Sequence, residues 1–405
     1  MKILIIGGGG REHALAWRLA HEGNTIFAAP GNPGIAHVGE IIPATSYPDV
    51  AGHLHPDLTV VGPEAPLAAG IVDTFRSRGL PIVGPTQEMA RIESSKIHAK
   101  NVMQRLSIPT ARFFQAAAAA EAIAALTQFT FPVVVKADGL AAGKGVVIAH
   151  DREEAESAIR TLGPPLIVEE FLEGEEVSFI VVSDGRNLVP FEPAQDHKAL
   201  QDGDNGPNTG GMGAYCDGRI ISDADSQRIL ETIIEPVVRE TAFTGFLYAG
   251  LMMTADGPKV LEFNARLGDP ETQALMHRLD PHSSLGDVLM RAATGTLAGA
   301  SLRFKPEPSV CVVLAAAGYP GNVRTGDPIR GIDDCPAQVF QAGTKLGHRG
   351  LQTAGGRVLG VTASGDDLET AVANAYAAIA GIHFDGMQYR QDIARKGLKR
   401  WPSKD

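Results

Sequence analysis

Cysteine is scarce, with only Cys216, Cys311 and Cys335 in 405 residues and no CxxC spacing among them. An odd, dispersed set of this kind excludes a disulfide framework and a cysteine-built zinc site, and it makes a reducing cytoplasm the default. Long apolar runs are also missing. Residues Ile3 to Ile6 are the only apolar stretch before four glycines, where a signal peptide needs an apolar core of about 7–15 residues. The longest runs, such as Val310 to Ala317, fall far short of the roughly 20 residues that span a bilayer. Positive charge is in deficit: 36 basic residues face 47 acidic ones, a net charge of −11. That balance argues against wholesale binding to nucleic acid or an anionic membrane, so any phosphate site must be local.

What remains is ordinary for a folded enzyme-sized chain. Apolar residues make up 44% and charged residues 20%, which fits neither disorder nor a long coiled coil. A single core stops growing at roughly 250 residues, so two or three domains are expected. Residues 1–90 alternate apolar runs (KILIIG, TIFAAPG, LTVVGPE, LPIVGP) with helical stretches, the pattern of a parallel α/β layer. Each run ends in glycine or proline, placing turns at the carboxyl ends of the strands, where open α/β sheets bind ligands. Helical stretches are expected over 86–106, 116–126 and 273–289. The fold class is therefore mixed: a parallel α/β amino-terminal domain over 1–97, an α+β central domain over 98–302, and a small β-rich carboxyl-terminal domain over 303–405.

Two glycine-rich loops are informative for what they are not. In GGGGREHA the dinucleotide fingerprint G-x-G-x-x-G fails, because Glu12 or His13 stands where the last glycine is needed. Free backbone N–H groups at Gly9 and Gly10, with Arg11 beside them, still suit an anion at a helix start. In KADGLAAGKGV, Asp138 replaces the first Walker A glycine and Gly145 follows Lys144 where a hydroxyl is required. Such a flap, with Lys136 and Lys144 at its ends, can still cover a phosphate chain.

The string KVLEFNARLGDPE is the most pointed. A strand period of two sends Leu261 and Phe263 to the core and puts Glu262 and Asn264 together on the other face. Carboxylate plus amide carbonyl is hard-cation chemistry, suited to magnesium shared with phosphates. Arg266, on the same face if the strand continues, suits a phosphoryl group in transfer. Between the flap and this strand, LIVEEFLEGEEVSF runs an apolar strand into acidic residues.

In that order, lysine with a glycine flap, acidic hinge strand and E-F-N resemble the ATP-grasp fold. End to end, the chain resembles the glycinamide ribonucleotide synthetase (phosphoribosylamine-glycine ligase) family of purine biosynthesis. The resemblance rests on GGREHALAW, PGNPG, VGPEAPL, KADGLAAGKGV, QDHK, GPNTGGMGAY, TGFLYAGLM, EFNARLGDPETQ and AAAGYPG. It implies ATP with magnesium or manganese, and ligation of glycine to 5-phosphoribosylamine through glycyl phosphate. It implies an ATP-grasp domain over 98–302 whose subdomain at about 110–185 moves. Carried over residue by residue, Lys96 and Lys136 contact phosphates, and Asp138, Gly139, Gly143 and Gly145 belong to the flap. Glu169, Glu170, Leu172 and Glu176 hold adenine and ribose. Gly9, Gly10, Arg11, Glu64, Asn208, Thr209, Gly210 and Gly211 are assigned to phosphoribosylamine, and Asp196 and Arg266 to glycine, with Lys144 catalytic beside them. Many ATP-grasp enzymes carry a further acid on the strand before E-F-N, but FLYAGLMM has none. That leaves ATP oxygens, Asp269 or Glu271 for a second ion.

Two rivals stand beside this reading: an ATP-grasp carboxylase with a different acceptor, and a nucleotide-binding regulator without turnover. No nucleic acid or membrane is expected as a partner, and the chain is expected to be a monomer.

Overall fold

The computed structural model describes residues 1–43, 46–140 and 145–401. Three sheets organise them. The first is parallel, in the order Glu40–Ile41, Thr25–Pro30, Lys2–Gly7, Leu58–Val61. Ile3 through Ile6 are all buried, as expected for a parallel strand covered on both faces. The chain reverses its strand order between Lys2–Gly7 and Leu58–Val61, and this switch point presents Gly8, Gly9, Pro63 and Glu64 to a common cavity.

The second sheet is small and antiparallel: Phe113–Ala116, Leu166–Glu170, Val133–Ala137, Val146–Ala149. One face packs against the helices Ala119–Ala125 and Arg152–Leu162 to make a separate core that includes Val133, Val135, Ile159 and Val168. Alternation then turns Val134, Lys136, Ile148, Ile167 and Glu169 to the other face, which lines the cavity. The expected helix over 116–126 starts later, at Ala119, because Glu121 accepts from the backbone N–H groups of Ala117 (2.9 Å) and Ala118 (3.2 Å) and caps it there. The small sheet ends at Glu170, and the strand Glu175–Asp184, which the expected unit over 110–185 also takes in, belongs to the next sheet.

The third sheet has nine strands, in the order Gly257–Asn264, Thr244–Thr254, Glu175–Asp184, Ala194–Asp196, Gly213–Cys216, Ser309–Ala315, Arg357–Ser364, Gln338–Gln341, with Leu188–Pro190 paired to Glu175–Asp184. Gly213–Cys216 pairs directly with Ser309–Ala315. The boundary expected at 302–303 is therefore spanned by one continuous sheet. The helical stretch expected over 273–289 is two helices, Glu271–Arg278 and Leu285–Thr294, with Pro281 between them, where proline cannot continue a helix. The stretch at 86–106 is likewise Gln87–Ser94 and Lys96–Arg105, capped by Thr86 and Ser95. Among the described residues no helix is long and apolar enough to cross a membrane.

The amino-terminal helix Gly10–His21 docks on the third sheet through His13, whose Nδ1 accepts from the Gln341 N–H at 2.8 Å. Burial, with His37 nearby, pushes His13 down to about 4; His197 falls to about 4, by burial and then Arg390. Each imidazole is neutral when folded but protonates near 6.5 when unfolded, so stability is full above about pH 6.5 and is lost as pH falls towards 4. Denaturant titrations at pH 7 and pH 5 should differ by about 2 kcal/mol for His13 alone. His13→Gln, which keeps an acceptor, should shrink that difference; an unchanged one would refute the assignment.

Candidate active site

A cavity of about 590 Å³ lies where the three sheets meet. Its inner end is an apolar slot made by Val134, Ile148, Ile167, Leu172, Met252 and Leu261. Leu261 is a departure from the period-two expectation. The ladder pairs Gly250 with Glu262 but Leu251 with Val260, so Leu261 is the extra residue of a β-bulge. Val260 and Phe263 take the core positions, while Leu261 packs with Leu172, Met252 and Ala111 at the slot. The bulge still leaves Glu262 and Asn264 facing the cavity, as the sequence implied.

Next to the slot sit three lysines. Lys136 Nζ pairs with Glu169 and donates to the bulged Leu261 carbonyl at 3.1 Å. Lys100 Nζ lies 2.6 Å from the other Glu169 oxygen and 2.7 Å from Thr110 Oγ1. Burial pushes the Glu169 carboxyl up, but Lys136 and Lys100 outweigh it and hold the group below the usual range. The Glu169 carboxylate thus serves as counter-ion to two lysines and is not free to hold a ring or sugar. Glu170 accepts from the Arg112 N–H at 2.9 Å, and Glu176 pairs with Lys198 at 2.6 Å; both line the cavity with Leu172. Lys96 Nζ donates to the Gly139 carbonyl at 2.8 Å, and burial lowers its pKa. Asp138 accepts from Ser95 Oγ (3.0 Å) and the Ile97 N–H (3.1 Å). It therefore ties the flap to the start of the helix Lys96–Arg105 and does not line the cavity, whereas Gly139 and Gly145 do. Gly143 and Lys144 lie outside the described residues.

Opposite the lysines, burial raises the Glu262 carboxyl, and Lys198, Lys136, Arg266 and Lys96 more than offset this, so it is held ionised. Arg266 lies 2.9 Å from Glu93, 3.6 Å from Glu64, and 3.4 Å from Asn264 Oδ1. Glu93 also accepts from the Ala265 N–H at 2.8 Å, locking the turn after the strand. Glu271 is buried and accepts from Tyr248 OH (2.7 Å) and Ser178 Oγ (2.9 Å). The donor set at Glu262 and Asn264 is oxygen only, one of the two an ionised carboxylate, which fits a hard divalent cation rather than zinc or copper. Glu271 Oε1 is already taken by two hydroxyls, and both Asp269 oxygens are engaged, Oδ1 by Gln273 Nε2 at 2.9 Å and Oδ2 by Arg357 at 3.0 Å, so neither acid offers a free pair of donors for a further ion.

The outer end is built from the loops of the first and third sheets. Gly9, Arg11, Glu64, Asn208, Thr209 and Gly210 line it as expected. Arg11 is buried, pairs with Glu12 at 2.7 Å and donates to the Leu267 carbonyl at 3.1 Å. Gly10 and Gly211 are not among the residues that line the cavity. A Cβ at Gly10 would meet Gln273 Nε2 at 2.7 Å, and one at Gly211 would meet Pro270 Cδ at 2.5 Å. Both are glycines of close packing behind the wall. Asp196 lines the cavity; burial and the carboxylates Glu271, Glu176 and Glu262, opposed by Lys198, push it up to about 7.

Sequence reasoning missed Lys100, Glu93, Lys198 and Arg357. Arg357 reaches the cavity from the strand Arg357–Ser364, 3.0 Å from Asp269 Oδ2 and 2.6 Å from the Asp269 carbonyl. No motif flags it, because its partners are 88 residues or more away in sequence. Lys100 carried a signal, standing one helical turn after Lys96 on the same face, and Lys198 stands in the QDHK string.

Three family models match the chain in order: the phosphoribosylglycinamide synthetase N domain at 1–93, its ATP-grasp (A) domain at 94–272 and its C domain at 309–396. A phosphoribosylamine–glycine ligase from Ralstonia nicotianae is 48% identical over an alignment of 424 positions, gaps included, covering 99% of this chain and 100% of the relative. The crystal structure of a phosphoribosylamine–glycine ligase from Thermotoga maritima superposes with a TM-score of 0.86 at 34% identity, covering 97% of this chain and 100% of that one. Biotin carboxylase from Campylobacter jejuni shares the fold alone, with a TM-score of 0.74 at 15% identity over 99% of this chain and 95% of that one.

Proposed function

The chain belongs to the phosphoribosylglycinamide synthetase family, and from that premise we propose that it joins glycine to 5-phosphoribosylamine in de novo purine biosynthesis. ATP is consumed, and the products are glycinamide ribonucleotide, ADP and phosphate. The observation that carries this reading is the single cavity in which an apolar slot, a cluster of lysines, the Glu262–Asn264 pair and the Arg11 and Asn208–Gly210 wall all meet.

The slot takes the adenine, with backbone groups near Glu170 and Leu172 at its edge and Glu176 towards the ribose. Lys136 and Lys96 turn to the phosphates. Lys100 stays with Glu169 when Lys136 does so, and the buried carboxylate keeps a partner. Magnesium or manganese, held by Glu262 and Asn264, supplies concentrated positive charge to the phosphates when bound. A glycine carboxylate oxygen attacks the γ-phosphorus, and the bond to the β,γ-bridging oxygen breaks to release ADP. Arg266, fixed by Glu93 and Glu64, offsets the charge on the phosphoryl group in transfer. The amine of phosphoribosylamine then adds to the acyl carbon of glycyl phosphate. Phosphate departs with its former carboxylate oxygen, and the nitrogen loses a proton. Asp196, which lines the cavity and whose pKa burial raises, accepts that proton in this reading. A water-excluding cleft protects the acyl phosphate meanwhile.

Phosphoribosylamine generated from ribose 5-phosphate and ammonia provides the test. ADP release should require both it and glycine. Release that depends on bicarbonate would move the chain to the carboxylase reading, and release with neither would remove the acceptor assignment.

A further inference from the structure

The ribbon made by Ala199–Gln201 and Asn205–Asn208 projects from the large sheet, and every residue from 201 to 208 is exposed. A two-stranded hairpin with no apolar face has little stability of its own. Yet this ribbon joins Asp196 and Lys198 on its incoming side to Asn208, Thr209 and Gly210 on its outgoing side, and all five line the cavity.

Its tip is gripped by the segment 390–396. Arg390, whose side chain is 1% exposed, donates through Nη1 to Asp204 Oδ1 (2.9 Å) and to the Ala199 carbonyl (3.2 Å). Its Nε and Nη2 meet the two oxygens of Asp392 at 2.7 and 2.8 Å. Asp392 Oδ2 accepts in turn from the Gly203 N–H at 2.8 Å, and Asp202 Oδ1 accepts from the Gln391 N–H at 2.8 Å. Lys396 lies 2.8 Å from Asp204 Oδ2, and at the base His197 Nε2 accepts from the Ala394 N–H at 3.2 Å. A buried, bidentate arginine is a rigid clamp, because its planar fork fixes both partners at once.

We propose that Arg390 is a positioning residue: with Asp204 and Asp392 it latches the 199–208 ribbon, and so sets Asp196, Lys198 and Asn208–Gly210 for the acceptor and glycine but not for ATP. The assignment of those substrates rests on the function proposed above. Arg390 itself lies outside the cavity wall, so its effect passes through the ribbon.

The test uses the full chain with Arg390→Met, which keeps volume but removes the fork, and Asp204→Asn at the exposed tip, which weakens the latch without touching the core. In Arg390→Met, amides of 199–208 should exchange with solvent at least about ten-fold faster, and the KM for phosphoribosylamine should rise about ten-fold while that for ATP stays within about two-fold; Asp204→Asn, which keeps one acceptor oxygen, should move both in the same direction by less. Arg390→Lys should restore little, since an ammonium cannot span both carboxylates. Unchanged exchange in 199–208 would overturn the latch. Equal rises in all three KM values with a lowered melting temperature would reduce Arg390 to a structural residue. The exchange arm needs no substrate, so it still decides the latch if the unaltered protein fails to consume glycine with phosphoribosylamine. That second failure would count against the function alone.

Discussion

Glu262→Gln should lower kcat by roughly 100-fold or more, the loss seen when a charge-stabilising group is removed from a preorganised site. Glutamine keeps the shape and one oxygen donor but removes the negative charge that four cations, Lys198, Lys136, Arg266 and Lys96, hold ionised. Without it a divalent ion meets only Asn264 and ATP oxygens, and the magnesium concentration for half-maximal rate should rise. The fold should survive, because the side chain faces the cavity and not a core. Steady-state rates over a magnesium titration decide the matter; kcat within about two-fold of the parent would show that Glu262 holds no essential ion.

Glu169→Gln should be the most destabilising single change in the site. Its side chain is 2% exposed and lies between Lys136 and Lys100. Removing the anion strands two buried lysines, and breaking a buried pair in this way costs about 3–5 kcal/mol. The partner experiment is Lys136→Met, which leaves Glu169 balanced by Lys100. It should therefore fold nearly normally while losing ATP handling. Denaturant unfolding of both variants is the measurement. A loss under about 1 kcal/mol for Glu169→Gln, the scale of an exposed pair, would mean that water reaches the site and the pairing carries no structural weight.

These two residues also show how far the sequence could be read. Glu262 and Asn264 were legible because strand alternation is a local rule, and the rule held for them although it failed at Leu261. The bulge there depends on the partner strand Thr244–Thr254, and a single strand carries no trace of the extra residue in its neighbour's register. Glu169 was found by its place in an acidic string, but its role was not. Only the folded sheet brings Lys136 and Lys100 to its two oxygens. Asp138 and Gly10 teach the same lesson. Each sits in a motif that marks a site, and each serves the architecture behind it, one as an anchor for a helix start and the other as room for Gln273. The order of the domains was legible from apolar runs and turn residues. The continuous nine-stranded sheet was not, since pairing between Gly213–Cys216 and Ser309–Ala315 spans a long stretch of chain that contains four α-helices.

The central claim is that glycine is activated by phosphorylation of its own carboxylate. Glycine labelled with 18O in that carboxylate should deliver one labelled oxygen to each inorganic phosphate formed, and only when phosphoribosylamine is present to release it. Phosphate that carries no label, while glycinamide ribonucleotide still forms, would contradict the account.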